Sequence, residues 1–214
     1  MPLNNAEIIV ATGNFHGRTT TIVGFSDDEP SYQTYGPFVD TAFIKHNYGD
    51  IDDLKSKITP NTVGILIEPI QGEGGVVIPP EGYLKGVETL CKEHNILFIC
   101  DEIQSGLGRA GKLFAHYYED VRPDIVVIGK ALSGGYYPVS AALADKEIML
   151  SVKTGEHGST YGGNPLGAAI ALAAIEVMEE ENLINKSADL GKYFVDKLQN
   201  IKNDKIVTVR GRGL

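Results

Sequence analysis

Short apolar, β-branched runs alternate along this chain with stretches whose apolar residues recur at helical spacing. The runs Glu7–Ala11, Thr41–Lys45, Val63–Glu68, Ile96–Asp101, Ile125–Gly129 and Val139–Ala144 predict strands. Between the third and fourth runs, Tyr83, Leu84, Val87, Leu90 and Cys91 share one helical face, with Pro79-Pro80 before it and Asn95 after it. Asn164-Pro165 supplies an N-cap residue and a proline at the first helical position of a second helix. Its body, Ala168 to Met178, is apolar nearly all round, which predicts burial between layers or against a partner chain. Glu179-Glu180-Glu181 at the negative end of that helix predict a solvated exit. A third helix, about Leu183 to Leu198, puts Leu183, Leu190, Phe194 and Leu198 on one face, and Ile206–Leu214 reads as a strand entering a turn. Strands alternating with helices predict an α/β fold, a mostly parallel sheet covered by helices.

Composition narrows the function classes. The 214 residues suffice for one large domain, or one and part of a second, and hydrophobic content of 43% with 22% charged is ordinary for a globular protein. The net charge of −9 and the absence of a Lys/Arg cluster argue against nucleic acid as a partner. No apolar run approaches the roughly 20 residues of a membrane helix. Met1 to Glu7 lacks the basic start and apolar core of a signal peptide. Cys91 and Cys100 fall at core positions and fit a reducing compartment. His16, His46, His94, His116 and His157 are scattered without metal-ligand spacing.

The informative polar groups close the apolar runs. Asp101-Glu102-Ile103-Gln104 ends one and Lys130 ends the next, and in open α/β sheets the carboxyl edge of the strands is where ligands bind. An acidic pair after a strand is also an ordinary loop entry, and a lysine is ordinarily a surface residue. Together, however, a carboxylate, an amide and an amine suit a pyridine-ring cofactor held as a Schiff base. Asp101 against the ring nitrogen favours the protonated ring. Lys130, flanked by Ile125–Ile128 and Ala131-Leu132, is expected to be partly buried, with an amine that acts first as nucleophile and then as proton carrier.

Other segments are less specific. Phe15 is suited to core packing or to stacking on a flat ring, and Arg18 to gripping a carboxylate. Glu68 to Gly75 ends a strand in a glycine-rich turn, in which Glu73 is the carboxylate expected near substrate. Gly158 to Pro165 opens onto a helix N-terminus, an arrangement that attracts phosphate. Two motifs fail. Gly106-Leu107-Gly108-Arg109-Ala110-Gly111 matches GxGxxG, yet Asp101 to Ser105 stand between the apolar run ending at Cys100 and the first glycine, and Asp124 opens the next strand instead of closing it. Gly129-Lys130 resembles a Walker lysine, but Asp124 and Ala131 replace the required glycine and hydroxyl.

Taken in order, Gly13–Thr19, Glu68–Glu73, Asp101–Gly106, Gly129–Gly135 and His157–Pro165 resemble the class III, fold-type I aminotransferases essentially from end to end. Lys130–Gly135 with Tyr137–Ala141 is most similar to the ornithine-type members. The resemblance implies a three-layer α/β/α large domain over residues 1–200, incomplete at its N-terminus, and the truncated start of a small C-terminal domain at 201–214. It implies pyridoxal 5'-phosphate bound by Lys130 as a Schiff base, Asp101 at the pyridine nitrogen, Gln104 at the phenolic oxygen and Phe15 on the ring face. Ser159 and Thr160 would reach the cofactor phosphate of the neighbouring subunit, so the implied assembly is a homodimer. Arg18 and Glu73 would meet the amino-acid and 2-oxo-acid substrates.

The implied reaction moves the δ-amino group of L-ornithine to 2-oxoglutarate, in the cytoplasm or, for a chain that has lost a leader, the mitochondrial matrix. The chain alone, lacking the family's phosphate loop and small domain, is expected to be inactive. Acetylornithine or 4-aminobutyrate transamination is the alternative within the family. A noncatalytic dimerisation domain is the alternative outside it.

Overall fold

The computed structural model describes residues 5–27, 30, 36–38 and 42–214. The chain divides into two units, Met1–Asp101 with His116–Pro123, and Glu102–Ala115 with Asp124–Leu214.

In the first unit the elements run β1 (Glu7–Ala11), α1 (Thr20–Phe25), β2 (Phe43–His46), α2 (Ile51–Lys57), β3 (Thr62–Ile67), α3 (Tyr83–His94) and β4 (Leu97–Asp101). The strands lie in the order β2-β1-β3-β4 and every pair is parallel. Register partners Ile9, Ile65 and Phe98 form a row across β1, β3 and β4, and all three are at most 1% exposed. Near-continuous apolar strands of this kind belong to parallel sheets. Truncating such a residue, Phe98→Ala for example, costs about 3–5 kcal/mol.

The helices of this unit have local causes. In α2, the Asp50 side chain accepts from Asp53 N–H at 2.9 Å, and Asp52 and Asp53 sit at the positive helix end. In α3, Asn95 takes a left-handed conformation at φ 52° and returns its N–H to Cys91 and Lys92 carbonyls, which stops the helix. α3 packs on β3, β4 and α2. A Cβ on Gly86 would come within 2.8 Å of Ile51 Cδ1, so glycine permits the α2–α3 approach. The sequence placed the second strand at Thr41–Lys45; Thr41 lies outside the described residues, as do Met1 to Asn4, and the strand spans Phe43–His46.

In the second unit β5 (Ile125–Ile128) and β6 (Ala141–Ala144) pair antiparallel. They are followed by α4 (Lys146–Met149), α5 (Pro165–Glu180) and α6 (Leu183–Gln199). Asn164 caps α5 by accepting from Gly167 N–H at 2.8 Å, a contribution of about 1 kcal/mol. With three parallel pairings in the first unit and one antiparallel pairing here, the fold is α/β with a mostly parallel sheet and helices.

One expectation is narrowed and another corrected in this unit. Of the two settings expected for α5, enclosure between layers of the chain does not hold: Leu166, Leu172 and Val177 are 59%, 58% and 44% exposed, while another side of the helix packs on α6 and the turn after β5. The α6 face is likewise open at Leu190 and Phe194. Ile206–Leu214 forms no strand, despite its β-branched residues. Strand propensity needs a neighbouring ladder, and here the segment's end is held by discrete bonds: Leu214 N–H donates to Arg109 O at 3.1 Å, and Arg109 Nη1 donates to Leu214 O at 2.7 Å.

Candidate active site

In the first unit the loop after β1 is pinned at several points. Asn14 Nδ2 donates to Ala11 O at 2.6 Å and Phe25 O at 3.3 Å, and Gln71 Nε2 donates to Thr12 O at 2.8 Å. Gly13 adopts φ +70°, where a Cβ would press on Gln71 Oε1 at 3.1 Å. So anchored, the loop presents Phe15, half-buried, with the Arg18 guanidinium 5.3 Å from its ring centroid. Arg18 itself is exposed.

Asp101 ends β4 with its side chain 9% exposed, and His16 Nδ1 lies 2.7 Å from its Oδ2. Glu68, just after β3, is buried and accepts the Phe15 N–H at 2.9 Å. Burial pushes the Glu68 carboxyl up to about 7; the Asp101 charge adds to this, while the Phe15 and Gly72 N–H bonds and the His16 ring act against it. Tyr48 donates its hydroxyl to Glu68 O at 2.9 Å, and burial holds that phenol above its ordinary range. Glu73 is exposed in the glycine-rich turn.

In the second unit, Ser105 Oγ donates to the buried Glu102 Oε2 at 2.6 Å and Gly106 N–H to Glu102 O at 2.9 Å, closing a turn on which Gln104 is half-buried. A Cβ on Gly106 would meet Glu102 O at 2.7 Å, so this turn requires glycine. These glycines therefore shape a tight turn and do not open a dinucleotide-binding helix.

Lys130 heads a 3₁₀ turn, Lys130–Ser133, directly after β5 and Gly129. The expected partial burial does not hold: Lys130 is exposed, because the turn carries it out of the strand. Its backbone sits at φ +40°, and Ser133 Oγ bonds its carbonyl at 2.9 Å. A left-handed lysine costs about 1 kcal/mol or more, strain of the sort that collects at functional positions. Ser159 and Thr160 lie exposed in the loop before α5, where Ser159 Oγ accepts Gly162 N–H at 2.9 Å.

The sequence residues thus fall into two sets, Phe15, Arg18, Glu73 and Asp101 in the first unit and Gln104, Lys130, Ser159 and Thr160 in the second. Sequence reasoning missed His16 as the partner of Asp101. Its one signal was a histidine in the short loop after β1, and the contact spans 85 positions. Among the described residues no cluster of three or more metal-ligating side chains occurs, and no helix is long and apolar enough to cross a membrane.

The class-III aminotransferase family matches residues 2–214. The chain belongs to the class-III aminotransferases. An ornithine aminotransferase of Oceanobacillus iheyensis is 56% identical over 99% of this chain and 53% of its own length. A Toxoplasma gondii ornithine aminotransferase, with pyridoxal phosphate at partial occupancy in its active site, superposes with TM-score 0.97 at 41% identity over all of this chain and 51% of its own. An acetylornithine aminotransferase of Elizabethkingia anophelis gives 0.85 at 50% identity, over all of this chain and 53% of its own. The chain spans about half the length of the curated relatives it matches. The fold is that of the fold-type I large domain of these pyridoxal-phosphate enzymes.

The residues of this class-III chain fit such a cofactor. A buried carboxylate is braced by an imidazole, an exposed primary amine stands on a strained turn at a strand end, and a half-buried aromatic ring sits on an anchored loop.

Proposed function

We propose that this chain forms the cofactor-holding part of an ornithine aminotransferase, which moves the δ-amino group of L-ornithine to 2-oxoglutarate and yields glutamate semialdehyde and glutamate. The observation that supports it most is 56% identity to an ornithine aminotransferase along nearly the whole chain. Residues 1–200 are assigned to the large domain and 201–214 to the start of the small one.

Pyridoxal 5'-phosphate, when bound, supplies an electron sink for the pair left on the substrate carbon as its proton departs. Lys130 would hold it covalently, and its exposed amine would serve as the base that moves that proton. Asp101 pairs with the ring nitrogen and keeps it protonated. Gln104 bonds the phenolic oxygen and Phe15 stacks on the ring face. Ser159 and Thr160 bind phosphate oxygens of the cofactor in a second copy of the chain. Arg18 grips the substrate carboxylate, its planar fork favouring bidentate contact, and Glu73 lies on the substrate side. The open apolar residues of α5 support a homodimer. The bacterial relatives and the burial of both cysteines support a cytoplasmic location.

A second reading, acetylornithine transamination, is favoured by the 50% identity to the Elizabethkingia enzyme. Full-length protein mixed with pyridoxal phosphate separates the two. A visible band that Lys130→Ala abolishes and L-ornithine bleaches supports the first reading; bleaching by N-acetylornithine alone supports the second.

A further inference from the structure

The Gly106–Gly111 turn matches a dinucleotide motif that the fold does not use, and its contacts point to another task. The turn, α6 and the segment Gly211–Leu214 all belong to the second unit. One peptide plane, joining Arg109 to Ala110, lies between them. Its oxygen accepts the Ser187 hydroxyl of α6 and the Leu214 N–H, each at 3.1 Å, as a carbonyl with two lone pairs can. Its N–H donates to the Ser105 carbonyl at 3.2 Å. A peptide unit is planar, so its oxygen and its N–H reorient together. Ser105 directly follows Gln104, and its hydroxyl donates to Glu102 Oε2 at 2.6 Å. On the outer side, Leu214 N–H also reaches Ser187 Oγ at 3.1 Å, and Arg109 Nη1 donates to Leu214 O at 2.7 Å. Two glycines permit this close approach. A Cβ on Gly191 of α6 would land on the Gly213 carbonyl, and a Cβ on Gly213, at φ +70°, would land on Arg109 O.

We propose that the Arg109–Ala110 peptide positions Gln104: residues 211–214, docked between α6 and the turn, hold this plane, and the plane holds the turn that presents the Gln104 amide to the cofactor's phenolic oxygen. This rests on the reading above that Gln104 bonds that oxygen. The path is contiguous, from Leu214 N–H through one peptide unit to the Ser105 carbonyl, the physical form that coupling between separate places requires. Residues 201–214 are assigned above to the start of the small domain, so the plane ties the first residues of that domain to a residue at the cofactor.

The test uses full-length protein loaded with pyridoxal phosphate. A hydrogen bond to the phenolic oxygen favours its ionised form, so the ratio of the cofactor's visible bands reports the Gln104 contact without turnover. Gly191→Ala wedges the segment away from α6, while alanine suits the helix itself better than glycine does. Ser187→Ala is the milder variant, removing one hydroxyl from the plane, and gives the same reading should Gly191→Ala not fold. Each is made with Gln104 intact and again in Gln104→Ala. With Gln104 intact, the expected results are faster hydrogen exchange at the amides of residues 211–214, a changed band ratio and about fivefold weaker cofactor binding. In Gln104→Ala the faster exchange persists, but ratio and affinity no longer respond, since the plane has nothing left to position. Unchanged exchange overturns the docking of the segment. Equal changes of ratio and affinity in both backgrounds, or none in either, overturn the link to Gln104. Parental ratio and affinity in Gln104→Ala alone overturn the proposal too, and place the fault in the assignment of Gln104 itself.

Discussion

The Phe15 backbone N–H donates to the Glu68 carboxylate at 2.9 Å, tying the loop after β1 to the end of β3 across 53 positions of sequence. The same carboxylate is therefore both a brace for the candidate cofactor-stacking residue and a buried charge.

Its titration makes stability pH-dependent. With the folded-state value raised to about 7 from 4.5, the folded protein holds a proton between those values that the unfolded chain has lost. Stability therefore falls as pH rises from 4.5 to 7 and levels off above, by up to about 3 kcal/mol. Glu68→Gln keeps an acceptor for Phe15 and removes the titration. Its stability relative to the parent is expected to rise between pH 5 and pH 8 in urea unfolding, and a constant difference across that range refutes the assignment.

Glu88 shows the opposite sign. Burial disfavours its charge, yet the Arg122 N–H at 3.0 Å and the Lys92 and Lys85 ammoniums, each at 3.0 Å, more than offset this and bring it down to about 2. The contribution is complete above 4.5 and is lost as pH falls toward 2. Both lysines are more than half exposed, so screening limits it to about 1–2 kcal/mol. Glu88→Gln should unfold that much more easily at pH 7 and match the parent at pH 2.

Much of the fold was legible because its signals are local. β1 spans Glu7–Ala11 as the apolar run predicts, and α3 follows its apolar face to the Asn95 stop. α1 and α2, six and seven residues long, escaped because one or two turns show too little periodicity, although Asp50 to Asp53 carries a cap signal in hindsight. Ile206–Val209 misled because β-branched side chains give only a preference, and a strand also needs a neighbouring ladder. The candidate site residues could be nominated because each lies at a strand end or in a loop next to one of the predicted elements. The His16–Asp101 contact could not, since it depends on which strand lies beside which. The exposure of Lys130 was hidden for a similar reason: its flanks are apolar, but the backbone turns at that residue.

The open face of α5 bears on assembly. Leu172 is 58% exposed although the helix around it is almost wholly apolar. In the homodimer reading a second copy covers it. Leu172→Glu adds a charge that costs little in the separate chain but several kcal/mol in a desolvated interface. Light scattering on full-length protein should report a shift from dimer to monomer with the melting behaviour of the monomer preserved. An unchanged mass would place the interface elsewhere.

Lys130 sets chemistry against stability in one residue. Its φ of +40° suits glycine, and the turn behind it is held by Ser133 Oγ on the Lys130 carbonyl and by Leu132, which is buried. The strain is maintained by contacts that do not involve the amine, so removing the side chain should leave the turn in place. Lys130→Ala and Lys130→Gly are both expected to lose the cofactor-linked visible band and turnover. The glycine variant should be the more stable of the two by about 1 kcal/mol, since only it relieves the left-handed backbone. Equal stability of the two would mean the turn relaxes without the lysine, and that the amine itself holds the conformation.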